Sequence, residues 1–248
     1  MVVIAAHAFE ARAVAGVGRA VTKEPWGQWM LYRGEMWDMP LTVIRSGPGK
    51  VAAAAATQAA VQYLDPDLLI SFGTAGSPDL DVKKGTLTVA RSVVDVALTE
   101  LVELPVHIPD RFEVNPEVVG AFLDVPGVVV STLMCWEGHV ASRIHRPPKP
   151  ENFDGLMVVD WESAAVAQVA QMWDVPWAAV KVVSDHGEKE RLRLLALAAK
   201  RPLQWAAEIC RRACFSYFEG RKTSPEETVS NGSVPEVQEQ ECLEENKV

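Results

Sequence analysis

Apolar residues along the chain fall into two rhythms. Short runs rich in apolar residues occur at Val2–Ala6, Leu41–Ser46, Leu68–Phe72, Thr86–Val93, Val128–Ser131 and Val175–Val183. They lack the alternation of a half-solvated strand and read as strands buried on both faces. Gln28–Tyr32 reads as a further strand, paired with Leu41–Ser46, and Val158–Val159 begins another. Between them, helical spacing covers Phe9 to about Gly16, Val51–Tyr63, Pro116–Leu123, Ser163–Met172 and the long region Arg191–Tyr217. The alanine-rich helix VAAAAATQAAVQY should pack closely on a sheet. Strands separated by helices predict an α/β fold whose sheet is covered on both faces. There is no repeat of fixed period, and nothing from Met1 to Arg221 has the composition of a linker.

The pattern ends near residue 221. Residues 222–248 carry seven acids and two bases, two prolines and no aromatic residue. Such a segment cannot bury enough apolar surface to offset its ordering entropy, and it reads as an acidic disordered tail. The reading is therefore one catalytic-sized domain over residues 1–221 and a tail over 222–248. The whole chain of 248 residues has 24 basic and 33 acidic side chains, net −9. That balance argues against a nucleic-acid partner. No run is long enough for a membrane helix, and the opening MVVIAAHAFEARAV lacks the marks of a leader. Four cysteines are too few for a disulfide framework, and Cys210 and Cys214 have no zinc-type partner pair. They read as buried thiols of a soluble cytoplasmic protein with no metal.

In covered α/β sheets, ligands bind beyond the carboxyl ends of strands. The segments of interest are His7–Glu10, Ser46–Lys50, Gly73–Gly76, Thr132–His139, Asp160–Glu162 and Ser184–Asp185. Each has a plain reading beside a chemical one. Glu10 suits a first helical turn through the helix dipole. Ser46–Lys50 (SGPGK) is a tight turn and lacks the spacing of a P-loop. Gly73–Gly76 (GTAG) is a strand-to-loop turn. Asp160 can cap a helix, and Ser184-Asp185 can start a loop.

Their order carries more than any one of them. A first strand leading to Glu10, then SGPGKVAA, GTAG, Lys84-Gly85-Thr86-Leu87, VDWE and SD after a long apolar strand together resemble the nucleoside phosphorylase/nucleosidase superfamily. The match is closest to its 5′-methylthioadenosine/S-adenosylhomocysteine nucleosidase branch and spans roughly residues 2 to 219. The resemblance implies a single α/β domain with a central twisted mixed sheet flanked by helices, assembled as a homodimer. It also implies a small-molecule nucleoside substrate, no cofactor, and cleavage of an N-glycosidic bond. By position, Glu10 matches the acid that activates water, Glu162 the acid that holds the ribose hydroxyls, and Asp185 the acid at the purine ring. Ser184, Thr74, Gly76, Trp161 and Trp136 fall around the substrate.

The chemistry fits those residue types. Cleaving a ribose–purine bond needs a proton for the leaving base and tolerance of positive charge on the sugar. A protonated Asp185 can donate to N7, general acid catalysis of a kind worth ~10²–10⁴-fold. An ionised Glu162 can bind the 2′- and 3′-hydroxyls and stabilise the oxocarbenium-like centre. Glu10 can take a proton from water, as in hydrolysis of glycosides by two carboxylates. A carboxyl group at 185 can also accept from a 6-amino group, which favours adenine; 6-oxopurine users of the family often carry Asn there.

Water is favoured over phosphate as the nucleophile. Phosphorolysis needs arginines for the dianion, and the matching positions near Phe9 and Ser71 are not basic. Arg45 and Lys50 are substitutes at best. Several features depart from the family. STLMCWEGH replaces a Gly-Asp-containing segment, so Trp136 is the candidate stacking ring. Trp161 stands where Met is usual and either closes on the ribose or fills core volume. Loop 142–155 is proline-rich and unlike the family's. His7 and His186 are either neighbours of the acids or structural. Apolar Leu101–Ile108 (LVELPVHI) suits an apolar 5′ substituent. FEAR and LISFGTAG also resemble hopanoid-associated nucleosidases, which remove adenine from a lipid adduct.

Overall fold

The structure, a computed structural model, describes residues 1–99, 110–137, 155–187 and 192–223. The elements follow the chain as β1 (Val2–Ala5), α1 (Ala8–Ala15), β2 (Arg19–Trp26), β3 (Trp29–Met36), β4 (Met39–Arg45), α2 (Lys50–Leu64) and β5 (Leu69–Gly76). Then come β6 (Leu87–Asp95), α3 (Val96–Thr99), β7 (Arg111–Glu113), α4 (Pro116–Leu123), β8 (Val128–Cys135), β9 (Leu156–Asp160), α5 (Ser163–Met172), β10 (Trp177–Asp185) and α6 (Leu192–Thr223).

All ten strands join one mixed sheet. One half closes on itself: β5 pairs β10 in parallel, β10 pairs β6 antiparallel, β6 and β8 are parallel, β8 and β9 are parallel, and β9 returns to β5 at Gly76↔Val159. The other half extends from β5 through β1, β4, β3 and β2. The expected α/β class and mixed twisted sheet are therefore present, with partial closure into a barrel as the added feature. The helices flank the sheet in two groups, α2 against α5, and α1 and α4 against α6. In α2 the contact positions are Ala53, Ala56 and Ala60, all fully buried, so small side chains let the helix lie close to the strands.

The buried apolar runs became central strands: β1 and β10 are buried along almost their whole length. The strand β2, not expected from the sequence, is mostly exposed. It forms the open edge of the sheet, where its Pro25 is tolerated because an edge strand need not donate on both sides. The hairpin β3–β4 turns at Trp37 and Asp38, both with positive φ. Trp37 is clasped to α6: its Nε1 donates to the carbonyl of Arg211 at 3.1 Å, the Arg211 guanidinium lies 4.1 Å above its ring, and Phe215 stacks at 4.9 Å.

Strand direction sets where chemistry can gather. β1, β4, β5 and β10 run parallel, so their carboxyl ends share one edge. β9 meets that edge antiparallel to β5 through the pair Gly76↔Val159, which brings Asp160 next to it. No helix of the described residues is long and apolar enough to cross a membrane.

Candidate active site

The last four residues of β5, Gly73 to Gly76, are the floor of the candidate site. Glu10 stands over their start. It occupies the first turn of α1 and is buried, yet its carboxylate is fully engaged. One oxygen accepts from the backbone N–H of His7 at 2.8 Å; the other accepts from both the N–H and the hydroxyl of Thr74, each at 2.8 Å. Gly73 lies directly beneath. A Cβ there would stand 2.8 Å from the Glu10 carboxylate, so the acid requires glycine at that position.

Asp185 ends β10 opposite Gly76. The Ser184 hydroxyl donates to one of its oxygens at 2.7 Å and the Gly187 N–H to the other at 2.8 Å. Gly76 is again the close neighbour: a Cβ there would meet the Asp185 carboxylate at 3.3 Å. Glu162 is the residue before α5, and its carboxylate accepts from the N–H of Gly49 at 2.8 Å, at the start of α2. Gly49 has φ +93°, a conformation glycine adopts at little cost. The next N–H, that of Lys50, donates to Glu137 at 2.8 Å. Two carboxylates thus occupy successive amides at one helix start, where the dipole favours negative charge.

Burial pushes the Glu162 carboxyl up, the charges of Asp160 and Glu10 add to that, and Lys181 and the Gly49 N–H pull the other way; the pKa stands at about 7. The field of Glu10 therefore reaches Glu162. The three acids lie along the carboxyl edge shared by β4, β5 and β10: Glu10 on Gly73 and Thr74, Asp185 opposite Gly76, and Glu162 on Gly49 just after β4.

Two further charged residues, outside the expected set, are buried in this region. Lys181, in the middle of β10, and Asp160, at the end of β9, form an ion pair of 2.9 Å with side chains 3% and 1% exposed. Asp160 also accepts from the N–H and hydroxyl of Ser163 at 3.1 and 2.6 Å. Its capping reading from sequence is correct in part, since it holds the start of α5. The available signal for Lys181 was a lone lysine inside the run AAVKVV. Burial works against its charged form, but Asp160, Glu162 and Glu10 outweigh that, and its pKa stands above the usual lysine value. A second ion pair joins Lys50 to Asp95 at 2.9 Å, so the Lys50 ammonium is engaged. Asp95, Cys135 and Asp160 are neighbours across β6, β8 and β9. Burial and the charge of Asp160 keep the Cys135 thiol well above its usual pKa, hence neutral.

Of the other expected residues, Thr74 and Ser184 hold the acids themselves. Trp161 is 38% exposed beside Glu162. Trp136 is half-buried on a satellite cluster of Val94, Val96, Met134 and Val159, and its backbone N–H donates to the Asp160 carbonyl at 2.8 Å. The His7 ring stacks on Phe9 at 5.4 Å, and His186 Nδ1 lies 3.2 Å from the Ser77 carbonyl. Segment 101–108 and loop 142–154 lie outside the described residues, as does nearly all of the tail. Among the described residues, no group of three His, Cys, Asp or Glu is placed to hold a metal ion.

Comparison with known proteins places this geometry in context. The family model described as the phosphorylase superfamily matches residues 1–212. A 5′-methylthioadenosine/S-adenosylhomocysteine nucleosidase from Glaesserella parasuis is 27% identical over 176 residues, 64% of this chain and 74% of that protein. One from Actinobacillus succinogenes is 26% identical over 199 residues, covering 76% and 86%. Among solved structures, the futalosine hydrolase of Helicobacter pylori superposes with a TM-score of 0.76 at 19% identity, over 87% of this chain and 97% of that one. The methylthioadenosine/S-adenosylhomocysteine nucleosidase of Streptococcus pneumoniae, solved with a transition-state inhibitor, gives 0.72 at 17%, over 86% and 96%.

Proposed function

The chain belongs to the phosphorylase superfamily, and from that premise we propose that it is a purine nucleosidase releasing adenine from a nucleoside such as 5′-methylthioadenosine or S-adenosylhomocysteine. What supports the reading is that Glu10 and Asp185 lie at the end of β5 while Glu162 lies on Gly49, just after β4, on the carboxyl edge these strands share. Asp185 gives a proton to N7 as the C1′–N9 bond breaks and its electron pair passes to the purine. Glu162 holds the 2′- and 3′-hydroxyls and faces the developing positive charge on the sugar. Water bonds to C1′ from the other face and loses its proton to Glu10. The Thr74 and His7 donors fix the Glu10 carboxylate, so little reorganisation is left for the reacting state.

Water is the nucleophile on two grounds. Among the described residues, Lys50 and Lys181 beside the acids are each engaged by a carboxylate, Lys50 by Asp95 and Lys181 by Asp160, and the acids around them repel a phosphate dianion. The curated relatives named above are nucleosidases. An enzyme of this kind needs no cofactor.

The working unit is a homodimer. Beyond Lys50, α2 carries no charged residue, and α5 carries none. The groove between them is lined by Val51, Ala54, Ala165, Val169 and Met172, together with Gln168 and the paired Lys50 and Asp95, and Val51 is 84% and Met172 71% exposed. Exposed apolar side chains grouped in this way suit a second copy. The described cysteines are free and buried, which fits a reducing cytoplasmic setting.

The test is incubation of the purified protein with adenine and hypoxanthine nucleosides bearing different 5′ groups, an adenosyl-lipid among them, with and without phosphate. Free adenine at the same rate in both buffers is expected. Base release that requires phosphate makes the protein a phosphorylase, and failure to release any base refutes the reading.

A further inference from the structure

Lys181 has no place in a strand whose other members are Ala, Val and Trp before Ser184, unless its charge is used. Replacing buried ion pairs by apolar residues is often neutral or stabilising, so stability alone does not account for it. Its Nζ stands 2.9 Å from Asp160 Oδ2 and 3.0 Å from Ser71 Oγ. Ser71 Oγ is 2.9 Å from Ser163 Oγ, and Ser163 returns to Asp160 at 2.6 Å. The four side chains close a ring that joins β5, β9, β10 and α5. Glu162 lies between Asp160 and Ser163 in the chain, so the ring pins the backbone on both sides of it.

We propose that the Lys181–Asp160 pair is a positioning device for the reaction: it holds Glu162 against the start of α2 and sets the charge that Glu162 faces. This rests on the reading of Glu162 as the acid that faces the sugar. Among the described residues, the groups around Glu162 are Glu10 from α1, Asp160 from β9, Lys181 from β10, the Gly49 N–H from the start of α2, and Glu137, whose carboxylate takes the next amide, that of Lys50. Three are anions and Lys181 is the cation buried among them, while Lys50 is held by Asp95. Without Lys181, Glu162 shares a buried space with Glu10 and Asp160, with Glu137 beside it and the Gly49 amide as counterweight, and the sugar-facing acid takes up a proton when it is needed ionised. Lys181 acts through Asp160 and through its field, and contact with the substrate is not required of it.

The experiment uses the full chain and three variants, Lys181→Met, Asp160→Asn and the double variant. One readout is the pH dependence of kcat/KM with the nucleoside found in the panel. The other is independent of activity: a ¹³C NMR titration of protein labelled at the glutamate carboxyl carbon, with Glu162→Gln to assign the signal. Lys181→Met is expected to move the Glu162 titration up by about one pH unit and to lower kcat/KM at pH 7 roughly fivefold, with recovery at higher pH. Asp160→Asn should move both down in pH. The double variant, which buries no ion pair and so keeps the test open if a single variant fails to fold, should return the titration close to that of the parent. An unmoved Glu162 titration in folded Lys181→Met or Asp160→Asn overturns the proposal. Titrations that shift as described in a protein that releases no base sink the nucleosidase reading and leave the control of Glu162 standing.

Discussion

Glycine decides more at this site than any one acid. Gly73 leaves room for the Glu10 carboxylate, Gly49 supplies the amide that holds Glu162, and Gly76 lies against Asp185. Gly73→Ala is informative because the atom its Cβ would strike is the end of a flexible side chain, not backbone. The fold should survive while Glu10 is displaced from Thr74. The expected outcome is a thermal midpoint within a few degrees of the parent and a kcat lower by ~10²-fold, within the range for losing a positioned base. Parental activity in Gly73→Ala would show that Glu10 need not stand where it does. The three acids are named from the sequence because each stands in a recognisable string, FEAR, VDWE or VVSD. The ring around Asp160 was not legible there, since the hydroxyls of Ser71 and Ser163 and the lysine at 181 lie far apart in the chain and meet only through the β5–β10 and β5–β9 pairings. Nor was the role of Thr74, whose donors turn toward Glu10.

At the scale of elements, the turn into α5 has the clearest consequence. The Glu162 carboxyl, with a pKa of about 7 against an ordinary value of 4.5, is protonated in the folded chain over a range where the unfolded chain has released the proton. Below pH 4.5 both states hold it and there is no effect. From 4.5 to about 7 stability falls as pH rises, by on the order of 3 kcal/mol at ~1.4 kcal/mol per pH unit, and above that the penalty is constant. Activity runs the other way, since an ionised Glu162 is needed, so kcat/KM should rise through pH 7. Urea unfolding and kinetics over pH 4–9 check both slopes. The β3–β4 hairpin carries a separate prediction. Trp37 joins its turn to α6 by a hydrogen bond, a guanidinium stack and an aromatic contact. Trp37→Ala should cost roughly 2 kcal/mol without changing base release, as read by urea unfolding and by activity. The edge strand β2 escaped the sequence reading because its residues are mostly exposed and its pattern carries little apolar signal. The buried runs were legible because a strand covered on both faces is written as an unbroken apolar segment.

For the whole molecule, an apolar chain segment shows that a sheet will form but not how its ends meet. The class of fold was legible from alternating strands and helices. Closure of half the sheet was not, since it rests on the pairing of β10 with both β5 and β6 and on a single bridge from β9 to Gly76. That closure is what brings Asp160 and Glu162 to the edge shared by β1, β5 and β10. The uncharged face of α2 and α5 belongs to the same scale. Met172→Glu places a charge on that face, and sedimentation should change from dimer to monomer at micromolar concentration. A parent protein that is already monomeric would contradict the dimer.

The central claim, that three acids from distant parts of the chain act on one nucleoside, is tested most directly by a crystal structure of Glu10→Gln with the adenine nucleoside identified in the panel. The account predicts an intact nucleoside, its purine edge on Asp185, its 2′- and 3′-hydroxyls on Glu162, and C1′ facing residue 10. A nucleoside seated elsewhere, or one touching fewer than two of these side chains, contradicts it.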